Sequence, residues 1–240
     1  MTRQNLGRLI ISGLLAGSLM MSHQMVVAQE ETKAAAEQKA EKSEAKVQEA
    51  KDGTKLVIKN SAAEVSAHEV VTQVTDVVLD LIREAQASPE YNSEKMADNL
   101  DNLLSQVVDF RFIAFNVMGR ENATSVSRDE FKRFANVFKR NLVTTYTKGM
   151  ASFADFKVEV IPPSADLAGQ KSVVVRQRVE GPTGSSLVSY TMGINKKGEW
   201  VLRNMNLNGI NLGKTFRDQF RVALKQNDGD VKKVIDNWDA

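Results

Sequence analysis

Between Ser66 and Met150 the apolar side chains recur every third or fourth residue, and between Phe156 and Leu207 they recur every second residue. The first spacing is one face of an α-helix and the second is one face of a β-strand. A chain that groups its helices first and its strands together, with only short turns between strands, folds as α+β around an antiparallel sheet. The expected architecture is an antiparallel sheet of about four strands covered by about six helices.

The helices carry their own start signals. Ser66 and Glu69 form a capping box, in which the Ser hydroxyl and the Glu carboxylate each accept from the other's backbone N–H. Val70, Val71, Val74, Val77, Val78, Leu81 and Ile82 follow at helical spacing, and Ser88-Pro89 stops the run. A second helix from about Ser93 holds Met96, Leu100, Leu103, Leu104, Val107 and Val108. Asp109 is placed to cap a short third helix ending at Gly119, apolar nearly all round through Phe110, Phe112, Ile113, Phe115, Val117 and Met118. A helix with no polar face is buried between other elements. Ser127 and Glu130 form a second capping box. It opens a long helix with Phe131, Phe134, Phe138, Leu142, Tyr146 and Met150 on one stripe.

The strand region reads as four segments. The first is Phe156–Ile161, stopped by Pro162-Pro163, and the second is Val173–Val179, followed by the turn Gly181-Pro182-Thr183-Gly184. The third is Leu187–Ile194, one face of which is Val188, Tyr190, Met192 and Ile194. After Lys196-Lys197-Gly198 comes Trp200–Leu207. Connections this short make a meander. Beyond Gly209 and Gly213, one helix carries Phe216 and Phe220, and a last short one carries Val231, Val234, Ile235 and Trp238. Asp228-Gly229-Asp230 is too short for a calcium loop and reads as a turn with a helix cap.

Ahead of all this, Arg3 and Arg8 precede the apolar run Leu9–Met21, and Val26-Val27-Ala28 follows. That is a secretory signal peptide, 1–28, cut after Ala28, with a core too short to span a bilayer. Residues 29–60 are mostly Ala, Glu, Lys and Gln without an apolar stripe. They are expected to be a solvated tether, leaving 61–240 as the folded domain. The signal holds two basic residues and no acidic ones, so of 32 basic residues 30 remain, against 30 acidic. A mature chain balanced to zero has no electrostatic footprint for nucleic acid.

Motif chemistry is sparse. With no Cys, thiolate catalysis and zinc–sulfur sites are excluded. Beyond the signal there is one histidine, His68, within a capped first turn. Asp98 and Asp101 read as solvated charges on a helix face. No catalytic or metal-ligating set is expected, and no cofactor. Apolar, flexible and aromatic side chains are over-supplied instead, on several elements. They serve either a Phe- and Met-rich core or the wall of a cavity for an apolar ligand; composition leaves both open.

A resemblance bears on that choice. Asp109-Phe110, Ile113-Ala114 and Val117-Met118-Gly119 are followed by Phe134, Phe138, Leu142 and Thr145-Tyr146. Then come Val173-Val174-Val175, Tyr190, Trp200-Val201, Gly209-Ile210, Leu212, Phe216-Arg217 and Gln219-Phe220. In order and spacing these are similar to MlaC, the toluene-tolerance (Ttg2-type) periplasmic proteins of Gram-negative bacteria, over residues 65–238. The 29–60 tether departs from the usual family pattern.

The resemblance implies a curved antiparallel sheet wrapped by helices with an apolar cavity between sheet and helices, and a periplasmic, monomeric phospholipid carrier and not an enzyme, with the lipid as cargo. It would exchange lipid between an outer-membrane MlaA-type lipoprotein–porin complex and an inner-membrane ABC transporter with an MlaD-type ring, maintaining outer-membrane lipid asymmetry. Docking to these membrane proteins would be transient. The residues then expected to line the cavity are Val74, Val78, Leu104, Val108, Phe112, Phe115 and Met118 on the first three helices. On the long helix they are Phe134, Phe138, Leu142, Tyr146 and Met150. The sheet contributes Val175, Val188, Tyr190, Met192 and Trp200, and the next helix Phe216 and Phe220. Arg176, Arg178 and Arg203 could touch a phosphate but read as exposed strand positions. The other readings are a periplasmic adaptor or chaperone with a filled core, and an enzyme on a similar fold.

Overall fold

The computed structural model describes residues 57–87, 93–150 and 155–238. The expected signal peptide and nearly all of the expected tether lie outside the described residues, as do the side chains of Tyr146 and Met150. Apart from the turn at 182–184, the described residues form one compact body.

Five helices come first: α1 Ala67–Ala87, α2 Ser93–Val107, α3 Phe110–Met118, α4 Arg120–Ser125 and α5 Arg128–Met150. Both capping boxes form. Ser66 N–H donates to Glu69 Oε2 at 2.7 Å and Glu69 N–H to Ser66 Oγ at 3.2 Å. Ser127 N–H donates to Glu130 Oε2 at 2.8 Å and Glu130 N–H to Ser127 Oγ at 3.2 Å. Asp109 caps α3 by accepting from Phe112 N–H at 3.0 Å. These side chains satisfy N–H groups that the first helical turn leaves without carbonyl partners.

The strands are β1 Lys157–Ile161, β2 Ser172–Gly181, β3 Gly184–Ile194, β4 Trp200–Leu207 and β5 Ile210–Asn211. They lie in the order β1-β2-β3-β4-β5 in one sheet. Val158 pairs with Val179 and Val160 with Gln177. Val188 pairs with Leu207 and Tyr190 with Met205. On β2 the alternation is complete from Ser172 to Arg178: Val173, Val175 and Gln177 are buried while Val174, Arg176 and Arg178 are exposed. The sheet thus has an inner and an outer face. Two helices close the chain, α6 Leu212–Gln226 and α7 Val231–Asp236, capped by Asn211 and Asp230.

Among the described residues the expected α+β meander is present, with one more strand and one more helix. The extra strand is β5. Asn208 and Gly209 both take positive φ, 48° and 84°, and this tight reversal folds two residues back onto Leu207 and Asn206. The extra helix is α4, too short for its periodicity to register in sequence. The outer edge of β4 is covered at three places. Trp200 N–H donates to Asn60 O at 2.7 Å, Asp109 N–H to Leu202 O at 3.0 Å, and β5 pairs at the far end.

Apolar packing is divided among three clusters. The first joins the sheet to α1 and α2 through Val70, Val71, Leu103, Val107, Val173, Val175, Met192 and Trp200. The second joins α3, α5, α6 and α7 through Ala114, Val117, Met118, Phe134, Phe138, Phe220, Val234 and Ile235. The third joins α1, α2 and α5 through Leu81, Ile82, Met96, Leu100 and Val143.

Candidate ligand-binding face

On the inner face of the sheet, residues near the Trp200 end belong to the first cluster. Those nearer the Gly181 end do not. Val173, Val175, Met192 and Trp200 are in it, and Val160, Tyr190, Ile194 and Leu202 pack against it. Val158, Val179, Val188, Met205 and Leu207 share that face by register. Among the described residues they join none of the three clusters. Several helices carry half-buried apolar side chains beside the clusters: Val74, Val77 and Val78 on α1, Leu104 on α2, Leu142 on α5 and Phe216 on α6. Half-buried aliphatic surface outside the packed clusters is a wall that an apolar ligand can complete.

At the boundary between the two parts lies a polar chain. Tyr190 Oη donates to Gln177 Oε1 at 2.7 Å, Gln177 Nε2 donates to Thr75 Oγ1 at 2.7 Å, and Thr75 Oγ1 donates to Val71 O at 2.8 Å. Gln177 is 3% exposed, so these bonds offset its burial. Burial pushes the Tyr190 phenol up to about 12, which keeps it a protonated donor.

The sequence-expected wall residues fall into distinct places. Val74, Val78, Leu104, Leu142, Tyr190 and Phe216 are half-buried beside the clusters, and Val188 is buried, 8% exposed, outside all three. Val108 packs against the first cluster and bridges to Leu202. Val175, Met192 and Trp200 sit inside the first cluster, where Trp200 Nε1 donates to Val65 O at 3.1 Å. Met118, Phe134, Phe138 and Phe220 sit inside the second. There Phe134 stacks with Phe138 and meets Phe220 and Trp238 edge-on, each at 5.4 Å between ring centroids. Phe112 and Phe115 face outward, 42% and 36% exposed.

Arg203 differs from the expected exposed strand position. The register slips between Thr191 and Met192, making Arg203 an extra residue in β4. Such a bulge re-aims its side chain. Its guanidinium lies over Gly193, where a Cβ would come within 2.6 Å of Nη1, and 5.0 Å from the Phe112 ring. Nη2 donates to Ile194 O at 3.0 Å, while Nε has no partner. Arg176 and Arg178 are exposed as expected, Arg178 pairing with Glu159 at 3.2 Å.

Sequence reasoning passed over Thr75, Gln177, Val179 and Met205. Gln177 had a readable signal, a polar residue at an inward position of an alternating strand. Thr75 had none, because its partner lies 102 residues away. A separate groove of 360 Å³ runs between α2 and α5, lined by Asp98, Asp101, Asn136, Lys139 and Arg140 among others. Its lining mixes these polar and charged side chains with Ala97 and Val143, and Lys139 Nζ pairs with Asp101 at 2.7 Å. Burial holds the half-buried His68 imidazole below its ordinary pKa. Among the described residues no group of His, Cys, Asp or Glu is placed to hold a metal, and no helix is long and apolar enough to cross a membrane.

Known proteins resemble this chain in both sequence and fold. The toluene tolerance protein ttg2D of Pseudomonas putida is 33% identical over 172 residues, spanning 71% of this chain and 79% of that protein. The phospholipid-binding protein of Ralstonia solanacearum, solved in complex with a phospholipid, superposes with a TM-score of 0.64 at 23% identity, covering 72% of this chain and 94% of that one. The sequence model described as MlaC protein matches residues 72–240, and the chain therefore belongs to the MlaC family.

Proposed function

We propose that this chain is a periplasmic phospholipid carrier that holds acyl chains against the open part of the inner sheet face. The observation that carries the reading is the row Val158, Val179 and Met205, turned inward, only half-buried and outside every packed cluster among the described residues. The phospholipid bound by the Ralstonia protein of the same fold supports it. The wall is proposed to be this row with Val78, Leu104, Leu142, Tyr190 and Phe216, the polar head facing water.

The physical task suits such a site. Each methylene left in water costs about 0.8 kcal/mol, so a palmitoyl chain costs roughly 12 kcal/mol and does not cross an aqueous compartment unaided. A bilayer recovers a similar amount. A carrier that both loads and unloads must match it closely, which a plain apolar surface does without a catalytic group. In this reading residues 1–28 export the chain, 29–60 tether the domain 61–240, and lipid passes between an MlaA-type outer-membrane complex and an MlaD-type transporter. That exchange maintains outer-membrane asymmetry.

The test is extraction of protein purified from the periplasm without detergent, using organic solvent and mass spectrometry. Phospholipid near one molecule per chain is expected. Repeated absence of phospholipid overturns the reading in favour of an adaptor with a filled core, which the closed packing around Phe134 would suit.

A further inference from the structure

We infer that the Thr75–Gln177–Tyr190 chain is the closed end of the acyl cavity and sets the longest chain the carrier accepts; this rests on the carrier reading above. The boundary it marks falls at one level on four strands. On β1 it lies between Val160, which packs against the first cluster and pairs with Gln177, and Val158, which does not. On β2 it is Gln177 itself. On β3 it is Tyr190, and on β4 it runs between Leu202 and Met205, the partner of Tyr190. Beyond that level toward Trp200 the inner face is filled by protein.

Two features make the level an end rather than a binding site for a lipid head group. The polar atoms are spent on one another: the phenol, the amide and the hydroxyl each donate within the chain, which terminates on Val71 O. An acyl methyl arriving there meets polar atoms it cannot solvate and side chains it cannot displace without breaking buried hydrogen bonds. The other limit along β2 is Gly181, where the Phe156 ring lies so close that a Cβ would meet it at 2.2 Å. From Gln177 to Gly181 is four strand steps, about 13 Å. An acyl chain longer than the space leaves methylenes outside, and each one costs about fourfold in affinity relative to a chain that fits.

Delipidated protein is equilibrated with phosphatidylglycerol vesicles of equal parts dimyristoleoyl, dipalmitoleoyl and dioleoyl species. It is then separated and its lipid weighed. Gln177→Ala lowers the floor, so the dioleoyl share relative to dimyristoleoyl should rise over wild type, by about fourfold for each further methylene admitted. Gln177→Ser serves in the same way if the alanine variant does not fold. Arg176→Ala, on the outer face of the same strand, controls for general loosening and should leave the ratio at the wild-type value. An unchanged ratio in a Gln177 variant that loads normally overturns the inference and leaves the carrier reading standing, as does an equal shift in Arg176→Ala. Wild-type protein that takes up none of the three lipids overturns the carrier reading itself.

Discussion

The aromatic cluster of α3, α5, α6 and α7 and the Gly181 half of the inner sheet face are both apolar, yet they are built in opposite ways. In the cluster, Phe134 is 0% exposed and its ring neighbours Phe138, Phe220 and Trp238 lie within 6.0 Å. Edge-on aromatic pairs of this kind hold one another closely. On the sheet, small and flexible residues (Val158, Val179, Met205) are turned inward with no packed cluster among the described residues to receive them. Aromatic abundance therefore marks the scaffold, and half-buried aliphatic residues outside the packed clusters mark the candidate site.

Three perturbations break or sharpen that contrast. Phe134→Ala opens a void inside the closed cluster and should cost about 3–5 kcal/mol in denaturant unfolding. Lipid bound per folded molecule should stay at the wild-type level; its loss in protein that still folds would erase the distinction between the regions. Met205→Asp acts in reverse. An unpaired carboxylate against acyl chains should reduce co-purified phospholipid by about tenfold or more, a step that needs only about 1.4 kcal/mol. Its unfolding midpoint should move far less than that of Phe134→Ala. Lipid at wild-type levels in this variant would place the ligand elsewhere.

The smallest effect is a pH dependence confined to the closed region. Lys232, donating to Glu130 at 2.8 Å, and then Ser127 hold the Glu130 carboxyl down from 4.5 to about 2. A carboxyl depressed in the folded state contributes stability that is fully present above 4.5 and is lost as pH falls toward 2. Thermal melting of Glu130→Gln should show a shallower decline across that window than wild type. An identical decline would show that the tie between α5 and α7 adds nothing.

What was legible in the sequence follows from the range of each interaction. Both capping boxes, the Asp109 cap and the alternation of β2 are local, three residues apart or fewer, and were readable outright. The long stripe of α5 was equally readable as a stripe. Its partition was not: Phe134, Phe138 and Leu142 lie with the aromatic cluster, whereas Val143 turns to Leu81, Met96 and Leu100. Which helix meets which side of a stripe is decided by tertiary placement. The Arg203 position failed for a different reason, since a bulge changes the facing of one residue without altering the spacing pattern around it.

In the carrier reading proposed above, coverage of β4 bears on the passage between an empty and a filled state. A strand edge with free N–H and C=O groups is a template on which another chain can grow. Two segments distant in sequence (Asn60-Ser61 and Val108-Asp109) and the adjoining β5 occupy that template on β4. The sheet's opposite margin, β1, presents Lys157 and Glu159 outward and runs into Pro162-Pro163, residues that discourage pairing. Loss of the ligand would then expose grease without exposing a seam. An unloaded molecule could remain dispersed at high concentration and await its next cargo instead of polymerising.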